Sequence, residues 1–220
     1  VKWISHKFSK TNKDLNLPRR LIIVWMFCVP CSLAVIGISG IVPLDGIPLA
    51  SEEPPGVLLL WTRYSAHLAG LFLLVAFLAS TARRRWRHPA TRVLMNYRRQ
   101  LGLGFATAHA FHLAALTLFL LNLEAFSATA SLAVAAFGYV VTTALAVTSN
   151  NWSVRRLGVN RWRLLHTTGI NILMLYFFVA FGAAFIQKGD TVYAVYVFAI
   201  IGAVVAKVSS RETRLQRATE

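Results

Sequence analysis

The chain has 220 residues, of which 56% are hydrophobic and only 14% charged. With a mean hydropathy of +0.57, it is too apolar for an ordinary water-soluble domain with a wetted surface. The formal charge of +15 would suit nucleic acid if the basic residues formed a groove or stripe, but they punctuate long apolar runs, as in membrane loops, so no nucleic-acid partner is expected.

A basic segment, 1–20, precedes six apolar runs at 21–42, 56–80, 101–121, 128–147, 164–186 and 191–208. Crossing a hydrocarbon core of roughly 30 Å takes about 20 helical residues at about 1.5 Å each, and these runs meet that length. Lipid satisfies no backbone polar group and the runs lack strand-like alternation, so they read as helices. The expected fold class is all-α: a polytopic membrane protein, a six-transmembrane-helix bundle over 21–208 with a tail at 209–220 and no room for a soluble catalytic domain. The first run follows basic residues as a secretory signal would. Its length and the lack of a small-residue cleavage site predict a retained helix.

Orientation follows from the basic residues. Six precede the first run, seven lie between the second and third (Arg83, Arg84, Arg85, Arg87, Arg92, Arg98 and Arg99), four between the fourth and fifth, and four at the C-terminal end, making 21 of 23 on one side. Both termini are expected in the cytoplasm, which makes the bacterial inner membrane, multi-pass and N-in/C-in, the expected location. Lys207, near the end of the last run, can snorkel outward.

Within the first run, Cys28-Val29-Pro30-Cys31 has the spacing of thiol-disulfide centres. Its place inside an apolar span favours small buried packing residues beside a proline kink over redox chemistry. Histidines carry more information. His6 and His88 lie in basic segments and read as solvated or headgroup-facing, whereas His67, His109, His112 and His166 fall in or at the ends of spans, where a polar side chain either bonds a neighbouring helix or serves a function. Counted at about 1.5 Å per residue, His67 and His112 lie roughly 16 and 14 Å from the outer edge and could face one metal ion. His109 is turned from His112 by about 60° around the helix. His166 lies roughly 30 Å deep and marks a separate inner site.

The run Arg98-Arg99-Gln100-Leu101-Gly102-Leu103, followed by His112-Leu113, Leu145-Ala146-Val147-Thr148-Ser149, Leu157-Gly158 and Trp162-Arg163-Leu164-Leu165-His166, resembles the ferric-reductase-like transmembrane domain family, in particular haem-b membrane subunits of periplasmic methionine sulfoxide reductase systems. The resemblance spans 61–186. It implies a membrane electron-transfer subunit with b-type haem between helices, one haem with a second or a quinone also compatible, and electrons drawn from quinol or a cytoplasmic flavin reductase. His112 takes the place of the family's span-three ligand and His166 that of its inner span-five histidine. The second span-five histidine is replaced by Val179, which cannot ligate iron. His67 is the candidate replacement, so the expected metal ligands are His67 and His112, with His109, His166 and Arg63 as further cofactor-binding candidates. Arg63 is four residues from His67 on nearly the same face, where it would either pair with a haem propionate or snorkel to headgroups. Small residues Ala66, Ala69, Gly70, Gly104 and Ala108 either admit a flat macrocycle or pack helices closely. Arg98, Arg99, Arg155, Arg156 and Trp162 form a basic inner surface, explained by topology or by docking of the electron donor.

Two other function classes remain at this stage. A haem-free accessory subunit of a larger respiratory or photosynthetic membrane complex would account for Val179, and a transporter ranks last because no paired carboxylates or duplicated broken helices are present.

Overall fold

The computed structural model describes residues 17–41, 56–122 and 130–219. Among these, the chain forms eight helices and no strand: α1 Leu17–Ile41, α2 Gly56–Arg85, α3 Pro89–Asn96, α4 Arg98–Leu121, α5 Ala130–Val147, α6 Asn151–Leu157, α7 Val159–Lys188 and α8 Thr191–Thr219. The fold is all-α, and its long apolar helices make the chain a polytopic membrane protein.

The expected count of six spans needs correction. Among the described residues four helical stretches are long and apolar enough to cross a membrane, namely Gly56–Arg85, Arg98–Leu121, Val159–Lys188 and Thr191–Ser210. A fifth exists only if Ala133–Val147 and Asn151–Leu157 are taken together, and these meet at 98°. Alone, α5 with its 18 residues is about 27 Å long at about 1.5 Å per residue, against a core of roughly 30 Å. Helix α1 runs from Leu17 to Ile41, and some of its side chains, which the first expected span includes, lie outside the described residues. Hydropathy counts apolar residues, whereas a crossing requires an unbroken path.

Helix α2 is the hub and packs on α1, α3, α4, α7 and α8, most extensively on α4. Its buried Ser65, Ala69, Leu73 and Phe77 recur every fourth residue, so they line one stripe. A matching stripe on α7 runs through Gly169, Leu173, Phe177 and Phe181. These stripes, with Phe105 and Ala108 of α4 and Tyr193, Ile200 and Ala203 of α8, form the core. Apolar side chains also cover the outside: Phe198 is 69% exposed and Ile186 85%. In water such a surface would aggregate, whereas in lipid it costs nothing to leave uncovered.

Small residues settle the helix spacing. Ala69 and Ala108 are fully buried in the α2–α4 neighbourhood, and a Cβ on Gly70 would come within 2.9 Å of Phe181 and 3.3 Å of Tyr196. The Cys28 thiol donates to the Gly104 carbonyl at 3.1 Å, tying α1 to α4. Ala69, Gly70, Gly104 and Ala108 thus all lie where helices approach closely.

Short polar elements shape the arginine-rich end. His88, expected in solvent or among headgroups, caps α3: its Nδ1 accepts from the Ala90 N–H at 3.2 Å, with Pro89 at the first turn. Asn150 caps α6 by accepting from the Ser153 N–H at 2.7 Å. Gly158 joins α6 to α7 with φ of 77°, a conformation that disfavours any residue with a Cβ.

Candidate functional site

The site is best built from the polar side chains that the apolar helices bury. On α4, His109 is 2% exposed. Its ring stacks on Tyr139 of α5, with centroids 4.2 Å apart, and on Phe105 at 5.2 Å, with Phe177 of α7 at 5.7 Å. Neither ring nitrogen of His109 has a hydrogen-bond partner, and the hydroxyl of Tyr139 is likewise buried without one. A buried polar group normally has a partner, and each orphan costs about 1–3 kcal/mol. This pairing brings together buried polar atoms without partners from two different helices.

One turn along α4, His112 has its ring 5.7 Å from that of His109. Its Nδ1 lies 3.0 Å from the Ser65 hydroxyl of α2, which in turn is 3.1 Å from the Thr62 carbonyl. A serine has one proton to donate. With that proton on Thr62, the hydroxyl accepts from His112 Nδ1–H, leaving Nε2 with the lone pair. That tautomer is the one a metal-binding imidazole uses when its other nitrogen is held by a neighbour.

His67 occupies a different environment. Its ring stacks on Tyr196 at 5.3 Å and packs on Tyr193 at 5.0 Å and Phe181 at 5.7 Å. The Tyr196 hydroxyl donates to the His67 carbonyl at 2.7 Å, fastening α8 to α2. Half-buried Arg63 lies one turn away on α2. Val179, where a family ligand was expected, is 58% exposed on the outside of α7. That position therefore opens no space in the bundle interior for His67 to fill.

At the arginine-rich end, His166 lies apart from these imidazoles, as its depth in the sequence anticipates. The Thr148 hydroxyl donates to the Ala144 carbonyl at 2.6 Å and accepts from His166 Nε2 at 3.0 Å. Trp162 stacks on His166 at 4.3 Å and donates its indole N–H to the Thr148 carbonyl at 2.8 Å. Arg99 completes the corner by donating to the Ser149 carbonyl at 2.6 Å and to Asn151 Oδ1 at 3.1 Å. Beside the corner is a cavity of about 290 Å³, whose lining includes Arg98, Arg163, His166, Gly102, Phe105 and Leu173.

Among the described residues no group of three or more His, Cys, Asp or Glu side chains is placed to hold a metal ion. A haem needs only one or two axial ligands, so the relevant question is which imidazoles offer a nitrogen and room. His109 offers two unpartnered nitrogens, and His112 an oriented one. His67 and His109 are each packed among aromatic rings, with the nearest centroids at 5.0 Å and 4.2 Å, so a macrocycle reaching either one would need its box to open.

Tyr139 and Ser65 escaped the reading of the sequence. Tyr139 sits in the middle of an apolar run, and its rarity there was the available signal. Ser65 gave none, because a serine becomes informative only when the side chain facing it is known. Comparison with protein families, with curated proteins and with solved structures finds no match to this chain.

Proposed function

We propose that this protein is a membrane electron-transfer subunit that holds b-type haem through the imidazoles of α4. The observation carrying this reading is His109, wholly buried with both ring nitrogens unpartnered. A bundle that leaves an imidazole bare tolerates a loss that iron ligation would recover. His112 supports the reading, since its contact with Ser65 presents Nε2 as a ligand atom. The ordered motifs that resemble those of ferric-reductase-like transmembrane domains support the same reading.

When bound, the haem would supply one-electron chemistry, cycling between ferric and ferrous iron. The protein's part is to fix the imidazoles, exclude water with Phe105 and Phe177, and keep the surroundings apolar. Electrons would come from a membrane quinol or a flavin reductase docking at the arginine-rich end. That end is read as cytoplasmic in a bacterial inner membrane, from its excess of arginine.

An absorption spectrum of the purified protein, oxidised and then reduced with dithionite, tests the reading. Sharp reduced haem-b bands are expected, lost or converted in His109→Ala or His112→Ala and retained in His67→Phe. A colourless, fully folded preparation overturns it. That outcome would favour a haem-free accessory subunit of a larger membrane complex, a second reading supported by the close packing of Ala69 and Ala108 in the core.

A further inference from the structure

The cavity at the arginine-rich end has walls of two kinds. Its inner part is lined by Phe105, Leu145, Ile170 and Leu173, and its rim carries Arg98 and Arg163. Charge balance there is one-sided. Of eight acidic residues in the chain, only Asp190 has a described side chain. It follows the far end of α7, some 27 residues from Arg163, or about 40 Å at 1.5 Å per residue. Among the described side chains, Asp190 is therefore the one carboxylate, and it lies far from the rim.

The depth of the rim is marked independently. Trp86 and Trp152 are each 61% exposed at this same end, and Trp162 lines the cavity itself. Exposed tryptophans on a membrane protein gather at headgroup level, where an amphipathic ring is half wet and half in hydrocarbon. The cavity mouth therefore opens at the level of lipid phosphates, with guanidinium groups around it and an apolar interior behind.

We infer that this cavity is a binding site for an anionic phospholipid of the leaflet on the arginine-rich side, its phosphate held by Arg98 and Arg163 and the start of one acyl chain entering between Phe105 and Leu173. A guanidinium fork matches phosphate geometry, and basic pockets between membrane helices are suited to charged head groups. Size limits the occupant. At about 290 Å³ the cavity lies just below the usual range of small-molecule pockets, roughly 300–1,000 Å³, so it takes the glycerol phosphate and the first carbons of a chain rather than a whole lipid. Arg99 has a different duty, since its guanidinium is engaged with Ser149 and Asn151. The inference is independent of the haem reading.

The full chain is reconstituted into nanodiscs of phosphatidylcholine with and without phosphatidylglycerol, and melting temperature and lipid retained in native mass spectrometry are measured. Phosphatidylglycerol is expected to raise the melting temperature and to remain as one bound molecule. The double variant Arg98→Gln/Arg163→Gln should lose both effects. Gly102→Leu blocks the same cavity without touching its charge: Gly102 lines the wall, a Cβ there meets nothing within 4 Å, and leucine favours the helix more than glycine does. It should also lose the retained lipid, and it decides the matter if the arginine variant fails to fold. Retention of phosphatidylglycerol by Gly102→Leu at the wild-type level overturns the inference. So does equal retention of phosphatidylcholine, or equal protection by inorganic phosphate in detergent, which would indicate a simple anion site.

Discussion

The ammonium of Lys207 lies 3.7 Å from the centroid of the Phe77 ring and 2.8 Å from Asn171 Oδ1. A lysine near the end of a membrane helix can snorkel outward, and this one turns in toward α2 and α7. The geometry places a cation over an aromatic face, where such contacts contribute about 0.5–2 kcal/mol. A double-mutant cycle on Phe77→Leu and Lys207→Met, read by unfolding in detergent, should return a coupling in that range. A coupling below about 0.3 kcal/mol would match independent sites and remove the contact from the account.

Glycine substitutions should separate by the space around each Cβ. At Gly169 a Cβ would come within 2.7 Å of a Leu145 methyl, and overpacking of this kind costs about 1–3 kcal/mol. Gly102 meets nothing within 4 Å, so alanine there should gain up to about 1 kcal/mol from helix propensity alone. Thermal unfolding of Gly169→Ala and Gly102→Ala tests the opposite signs. Pairing Gly169→Ala with Leu145→Ala should recover part of the loss if the clash is its cause.

What the sequence disclosed divides along physical lines. Helix positions and the one-sided charge were legible because they depend on local composition: the run read at 56–80 lies within Gly56–Arg85, and Arg98, Arg99 and Arg163 do gather at one end. The span count was not legible, because the bend after Val147 follows from polar contacts that residues beyond the run make with Thr148 and Ser149. Depth alone separated His166 from His67 and His112. It could not foresee that His67 would be boxed by Tyr193 and Tyr196, which are over 120 residues away in the chain, or that Asn171 would receive Lys207. Such pairings are set by which helices become neighbours, and no local pattern encodes that.

The corner at the arginine-rich end gives a structural role to several residues of the motifs read in the sequence. Thr148, Ser149, Gly158, Trp162 and His166 all serve to turn α5 through α6 into α7, whatever else they do. Thr148→Val removes the hydroxyl that contacts both Ala144 and His166, while Trp162→Phe removes the donor to the Thr148 carbonyl. Each hydrogen bond lost should cost about 0.5–1.5 kcal/mol, and the two variants should be non-additive because they share one residue. If His166 serves only this corner, Thr148→Val will lower the melting temperature and leave any haem spectrum unchanged. A shifted spectrum would instead place His166 at a cofactor.

The two cysteines should differ sharply in chemistry despite their short spacing. Both are free thiols; Cys28 is buried against Gly104, whereas Cys31 is exposed on the outside of α1. Modification requires access to the sulfur. A membrane-permeable maleimide should therefore label Cys31 alone in the folded protein and both residues after denaturation, as read by intact mass. Cys31→Ser should abolish native labelling, and Cys28→Ser should leave it in place. Labelling of Cys28 at a comparable rate would mean that α1 separates from α4, and that the thiol-to-carbonyl contact does not hold the first helix against the bundle.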